Sequence, residues 1–139
     1  MKPEESGPHQ LSLDRPLHAA LAHFTAGLSP AALSLGYADW AQHLLLSPDK
    51  QIELAERAAL NWLHFLDYCP RALVNPNCEA CIAAEPNDKR FANPSWHLWP
   101  FNAMSQGFLL TQQWWQHATT GIRGVSKHHE SVVSFVARQ

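Results

Sequence analysis

The sequence predicts an all-α fold, built from an N-terminal helical hairpin, a loop rich in Pro and Asn, and a second helical pair. Two Ser-Pro pairs, Ser29-Pro30 and Ser47-Pro48, each place a capping hydroxyl before a proline that suits the first position of a helix. After both pairs, and again after Pro100, apolar residues recur at intervals of three and four, the spacing of one helix face.

The composition is that of one globular domain. Of the 139 residues, 46% are hydrophobic and 16% are charged, which excludes a disordered chain. The net charge is −2, and among the ten Lys and Arg residues only Lys89 and Arg90 are adjacent. Because no basic stripe is present to neutralise a run of phosphates, we do not expect nucleic acid as a partner.

The predicted location is the cytoplasm. The first eight residues are acidic and lack the apolar region of a secretory signal. No apolar run approaches the roughly 20 residues that span a bilayer, so no transmembrane segment is expected. The three cysteines, an odd number in a chain without an export signal, favour reduced thiols.

A flexible tail is expected at residues 1–12, followed by a helical segment at residues 13–68. The first helix starts near Asp14, carries Pro16 in its first turn, and ends where Gly27 can adopt a left-handed conformation. Its apolar face consists of Leu17, Leu21 and Phe24. The spacing therefore predicts a short amphipathic helix.

The next two helices are expected at residues 30–46 and 48–68. Because only a short break separates them, we predict an antiparallel hairpin with the two apolar stripes facing each other. The stripe of the first of these helices consists of Leu33, Tyr37, Trp40, Ala41 and Leu44. The stripe of the second consists of Ile52, Ala55, Ala59, Trp62, Leu63 and Leu66.

Residues 69–87 are predicted to be a linker loop. Pro and Asn recur too often there, and on to about residue 95, for a long helix or strand. A short helical turn is the one element expected in the linker, at residues 78–84. The loop joins the hairpin to the second helical part at residues 88–139.

The second helical part contains two helices. The first shows an apolar stripe of Phe101, Met104, Phe108 and Trp115. Residues 121–124 break it, and Ser126 is placed to cap a last helix, which carries Val132, Val133, Phe135 and Val136. Because no Gly, Asn or Pro follows that helix, the sequence suggests a fragment cut before a further domain.

The cysteines do not predict a nucleophile or a firm metal site. A nucleophile elbow needs a Gly two residues to each side of the Cys, and none of the three has this context. Cys78 and Cys81 form a C-x-x-C, which with Cys69 and either His64 or His97 is one alternative for a structural zinc site. Since the matching second pair is missing, unliganded thiols are favoured and no cofactor is expected.

The nine histidines also fail to form a metal pattern. No H-E-x-x-H occurs, and His18 and His23 are five residues apart, which misses the spacing of two ligands on one helix face. Solvated or capping histidines are the expected outcome. The sequence thus supplies no catalytic residue.

The aromatic residues of the second half are the most informative group. At helical spacing they favour a core role, and the alternative is a surface that packs on another domain or on hydrophobic polymer. Trp114 and Trp115 lie about 100° apart on a helix, so one of them is available to a partner. Arg90 is expected to pair with Asp88, as a surface ion pair or as part of a docking contact. The docking or polymer-facing candidates are Arg90, Phe91, Trp96, Trp114, Trp115 and Phe135.

Two stretches resemble the N-terminal region of the polyhydroxyalkanoate synthase, or poly-beta-hydroxybutyrate polymerase, family. The first comprises Asp14 to Ala19, Gly27 to Leu33, Tyr37 to Trp40 and Leu46 to Gln51. The second opens with Asp88-Lys89-Arg90-Phe91-Ala92-Asn93-Pro94-Ser95-Trp96, which is similar to that family's D-[KR]-R-F-x-[DN]-P-x-W signature. Further short motifs follow it in the family's order up to Gln139.

The resemblance implies the non-catalytic front end of an acyltransferase that polymerises 3-hydroxyacyl-CoA thioesters into polyester. In that family the chemistry resides in a following α/β-hydrolase-type domain, so no catalytic residue is carried over. The implied partners are that catalytic domain, a second copy of the chain, or the surface of a polyester granule. The alternatives are a stand-alone helical adaptor or small zinc module, and a small hydrolase or acyltransferase in its own right.

Overall fold

The computed structural model describes residues 14–24 and 27–139, and these contain five α-helices, one 3₁₀ turn and no strand. The all-α prediction is confirmed, and the predicted tail at residues 1–12 lies outside the described residues. The helices are α1 (Asp14–Phe24), α2 (Pro30–Leu45), α3 (Pro48–Val74), α4 (Phe101–Thr119) and α5 (Lys127–Ala137), with the 3₁₀ helix at Pro94–His97.

Helix α4 is the centre of the molecule, since it packs on α3, on α5 and on the 3₁₀ helix. Helices α3 and α4 are antiparallel, because Trp114 reaches the Leu54 carbonyl while Asn102 reaches that of Ala72. Helix α2 packs chiefly on α5. The buried apolar residues are Leu54, Tyr68, Ala72, Ala103, Leu109, Leu110, Ala118, Ile122, Val132 and Val133.

Helices α2 and α3 both form and contact each other, but each has a larger contact elsewhere, α2 with α5 and α3 with α4. The predicted burial of the α3 stripe is wrong, because all six of its residues are exposed. Leu54, Tyr68 and Ala72 are buried instead, on the face that meets α4. Helix α3 has two apolar faces, and helical spacing alone does not say which of them packs.

Two of the three serine caps are confirmed. The Ser29 hydroxyl accepts from the Ala32 N–H at 3.1 Å, and the Ser126 hydroxyl accepts from the His129 N–H at 3.2 Å. Ser47 precedes α3 but makes no cap, since its hydroxyl donates to the His43 carbonyl at 2.7 Å. The hydroxyl therefore hydrogen-bonds to the last turn of α2 and not to the first turn of α3.

Helix α3 runs to Val74, six residues beyond the predicted end, and passes through Pro70. Pro70 removes one helical N–H, yet the last turns are held by other contacts. Tyr68 and Ala72 are buried, and the Asn102 amide donates to the Ala72 carbonyl at 3.3 Å. Tertiary packing therefore outweighs the local cost of the proline. The helical turn predicted at residues 78–84 does not form.

Helix α5 covers its apolar side within the chain. Val132 and Val133 are buried, and their side chains lie where a Cβ on Gly36 of α2 would contact both of them. Gly121 and Gly124, which were predicted to break the preceding helix, have φ of 70° and 92°, values that favour glycine. Phe135 stays 44% exposed at the edge of this contact.

Candidate interaction surface

Arg90 is held in a fixed position by Asp88 and by α4. Its guanidinium makes two hydrogen bonds to the Asp88 carboxylate, at 2.9 and 2.6 Å, and a third to the Gln112 side chain at 2.8 Å. It also lies 5.0 Å from the centre of the Phe108 ring. The side-chain and backbone hydrogen bonds from Arg90 lower the pKa of Asp88 to about 2. The predicted ion pair is confirmed, and it joins the loop to α4.

An aromatic cluster follows Arg90 and packs on the first half of α4. Phe91 contacts Trp96 and Phe108 with ring centroids 4.9 and 5.7 Å apart, and Trp96 contacts Phe101 at 6.0 Å. The Asn93 side chain caps the 3₁₀ helix by accepting from the Ser95 N–H at 2.9 Å. Phe91 and Trp96 are therefore half-buried anchors of the loop.

The two adjacent tryptophans divide as the sequence predicts. Trp114 is half-buried and donates its indole N–H to the Leu54 carbonyl at 2.9 Å. Trp115 points to the outside, 40% exposed, and touches Trp114 edge to face at 5.2 Å. Trp114 thus belongs to the contact between α3 and α4, whereas Trp115 remains exposed.

Trp115 belongs to an exposed apolar stripe on α4. The other members are Phe101, Met104 and Phe108, each at least 45% exposed. This is the stripe for which the sequence favoured a core role, and the structure places it outside. Helix α4 contains no Asp, Glu, Lys or Arg along its 19 residues. The exposed stripe is consequently apolar and free of formal charge.

A second exposed stripe runs along α3. Its large members are Ile52, Trp62, Leu63 and Leu66, all of them more than half exposed. They were predicted to be core, so sequence reasoning missed them as surface candidates. The sequence does contain a sign of this exposure. A second apolar face of the same helix carries Leu54, Tyr68 and Ala72, and only one of the two faces packs on α4.

An apolar cleft of about 250 Å³ lies between α3 and α4, beside their packed faces. Trp62 of the α3 stripe lines one wall, and Thr111 lines the other. Thr111 lies seven residues after Met104 and four before Trp115, so the α4 stripe borders the same cleft. The two stripes and the cleft form one feature, which we name the α3–α4 surface. The cleft is lined by Ala58, Asn61, Trp62, Phe65, Gly107, Leu110, Thr111 and Trp114.

The exposed indoles of the α3–α4 surface carry unused hydrogen-bond donors. Within the described part of the chain, Trp40 and Trp114 donate to backbone carbonyls, whereas the N–H groups of Trp62 and Trp115 have no acceptor. An indole N–H donates and does not accept. The surface therefore offers apolar contact together with donors.

The cysteines lie apart from this surface, in and near the loop after α3. The Cys81 thiol donates to the side-chain oxygen of Gln106 at 3.1 Å, and the Ile82 N–H donates to the same oxygen at 2.9 Å. Burial raises the pKa of the Cys69 and Cys81 thiols, which keeps them protonated and weakly nucleophilic. Residues 14–24 and 27–139 contain no cluster of His, Cys, Asp and Glu suited to a metal ion.

One histidine cluster was missed by sequence reasoning. The Asp39 carboxylate on α2 lies 2.6 Å from Nδ1 of His129 on α5 and 3.0 Å from Nδ1 of His43, and it accepts from the Ser126 N–H at 3.3 Å. The hydrogen bond with His129 is the main cause that lowers the pKa of Asp39. His129 and Ser126 are 90 and 87 positions from Asp39, so no local spacing signals these two contacts. Their role is to join α2 to the start of α5.

None of the helices in the described residues is long and apolar enough to cross a membrane.

Two family profiles match the chain. Residues 8–50 match the family described as "Poly-beta-hydroxybutyrate polymerase N terminal", and residues 87–139 match "Poly-beta-hydroxybutyrate polymerase (PhaC) N-terminus". Most of α3 lies between the two matched ranges, whereas α4 lies inside the second. No curated protein and no solved structure matches the chain significantly. Since the two ranges together span more than half of the sequence, in the order that the motifs predict, the chain belongs to the poly-beta-hydroxybutyrate polymerase family and carries its N-terminal regions.

Proposed function

We propose that the chain is the non-catalytic N-terminal part of a polyhydroxyalkanoate synthase-like acyltransferase, and that its α3–α4 surface attaches the enzyme to hydrophobic polyester. The observation that carries this proposal is the pair of exposed apolar stripes that border one cleft. Contiguous apolar surface of this kind marks interaction sites on globular proteins.

A neutral polyester fits the chemistry of this surface. Its repeat units present alkyl groups and ester carbonyls, which accept hydrogen bonds and donate none. The surface supplies apolar side chains and the indole donors of Trp62 and Trp115, and its α4 stripe is uncharged. An anionic lipid surface is favoured less, because such surfaces attract helices rich in Lys and Arg.

A catalytic role of the chain is not favoured. Partial burial raises the pKa of the Cys69 and Cys81 thiols, and no cysteine among the described residues hydrogen-bonds to a histidine base. The Ser126 hydroxyl, close to the His129–Asp39 pair, is used as a helix cap. The chemistry of the family is therefore assigned to the α/β-hydrolase-type domain that the resemblance implies.

The test is co-sedimentation of the purified chain with polyhydroxybutyrate particles. We expect the wild type to bind, and the double variant Trp62→Gln, Trp115→Gln to bind about tenfold more weakly or worse, because covering a large apolar side chain is worth roughly 1.5–3 kcal/mol. Leu35→Gln is the matched control, since Leu35 on α2 is as exposed as Trp62, at 63%, and lies away from the surface. Circular dichroism confirms that each variant folds.

Other occupants of the surface give different results. If the wild type sediments as a dimer, binds no particles, and becomes monomeric in the double variant, the surface is an interface between two copies. If the wild type is a monomer that binds neither particles nor hydrophobic dye, the α3–α4 surface needs no partner to cover it. Either result contradicts the proposal. A folded Trp62→Gln, Trp115→Gln double variant that binds particles as well as wild type contradicts it too.

A further inference from the structure

The cleft of the α3–α4 surface is open because two small residues face it. Ala58 on α3 and Gly107 on α4 line it, and a Cβ on Gly107 would lie 3.4 Å from the nearest atom of the Phe65 ring. Packed helix interfaces leave few spaces larger than a water molecule. A space of about 250 Å³ has room for roughly eight groups of that size. The cleft is therefore larger than the voids of a packed helix interface.

The lining of the cleft selects for a neutral ligand. None of its eight residues carries a formal charge. The Thr111 hydroxyl is used, because it donates to the Gly107 carbonyl at 2.8 Å. One amide hydrogen of Asn61 goes to the Leu110 carbonyl at 3.4 Å and the other has no acceptor, and Trp62, whose indole N–H also has no acceptor, lines the same wall. Two unused donors thus accompany an apolar floor.

We infer that this cleft binds one extended segment of an aliphatic polyester chain, with its alkyl groups over Gly107 and an ester carbonyl at the Asn61 and Trp62 donors. This rests on the proposed function and names the site within the surface. A free fatty acid fits less well, because no cation lines the cleft to receive its carboxylate.

The probe is a soluble, neutral fragment of the polymer, the methyl ester of a linear 3-hydroxybutyrate trimer. Trp62 and Trp114 both line the cleft, so binding is followed by tryptophan fluorescence. We expect a saturable change in wild type and at least a tenfold loss of affinity in Gly107→Leu, which fills the space. Gly107→Ala is the matched control: it adds only the Cβ, at ordinary contact distance from Phe65, and should stay within a few fold of wild type.

A second variant that fills the cleft keeps the test decisive even if Gly107→Leu does not fold. If Gly107→Leu does not show the helical spectrum and cooperative unfolding of wild type, Ala58→Leu fills the cleft from the opposite wall and must give the same tenfold loss. Decanoate is the charged comparison ligand, and we expect it to bind more weakly than the trimer ester.

The results separate this inference from the proposed function. Wild type that binds polymer particles but shows no saturable response to the trimer ester overturns the cleft site and leaves the surface proposal intact. So does a filling variant that folds and binds the trimer as wild type does. Decanoate that binds as tightly as the ester overturns the assignment to a neutral chain. Wild type that binds no particles at all is a failure of the proposed function itself.

Discussion

Asp39 is the residue through which α2 is joined to the start of α5. Its carboxylate interacts with His129, His43 and the Ser126 N–H. Two of these partners, His129 and Ser126, are distant from Asp39 in the sequence. A spacing rule cannot find such a contact, because its partners are 87 and 90 residues away. The serine caps differ, since Ser29 and Ser126 act within three residues and were predictable.

Replacing Asp39 by Asn is expected to lower the melting temperature at neutral pH, because the amide removes the negative charge from between two imidazoles. The pKa of Asp39 lies below its ordinary value of 3.8, chiefly through the hydrogen bond with His129. Such a carboxylate stabilises the fold above the unfolded-state pKa and loses this effect as the pH falls through the folded-state pKa. The difference between wild type and variant should therefore shrink below about pH 4. Thermal unfolding across pH measures it, and a difference that stays undiminished below about pH 3 would refute this role.

Helix α3 shows what periodicity can and cannot decide at the level of one element. Its existence and its start at Pro48 were predicted correctly. Its buried face was not, because the stripe with Trp62 and Leu66 and the stripe with Leu54 and Tyr68 are both apolar. Which of them packs depends on α4, whose distance in sequence hides it from any local window. Its end was also misplaced, since Pro70 is tolerated where α4 holds the following turn.

Pro70→Ala is expected to stabilise the protein, by up to about 3 kcal/mol, the cost of a proline inside a helix. The variant restores a backbone N–H that can donate to the Leu66 carbonyl, and Pro70 is exposed, so little packing is lost. Pro48→Ala is the control, because a proline in the first turn sacrifices no hydrogen bond and its removal should bring no gain. Urea unfolding measures both. A Pro70→Ala protein that is less stable than wild type would show that the proline itself holds the end of α3.

In the whole molecule, the segments before and after the loop pack into one unit around α4. The sequence predicted the helices but not this arrangement, in which α2 pairs with α5 and α3 with α4. Gly36 illustrates why. Glycine has a low helix propensity, so within α2 alone this residue has no evident purpose, whereas in the fold it leaves room for the side chains of Val132 and Val133. The same pairing leaves the Trp62 and Trp115 stripes outside, so the Trp62 stripe, unlike Trp115 itself, could not be assigned to the surface before the packing was known.

Attachment through the whole α3–α4 surface should respond to salt as an apolar contact does and not as an ionic one. If apolar contact and neutral donors hold the chain on polyester, binding should not weaken between about 0.01 and 1 M salt, although the screening length falls from about 30 to about 3 Å. Sulfate should strengthen it, because strongly hydrated salts favour the burial of apolar surface. Co-sedimentation with polyhydroxybutyrate particles across this range measures the effect. An affinity that falls tenfold with salt would instead place the contact on charged residues, none of which occurs in α4, and would move the attachment site away from the α4 stripe.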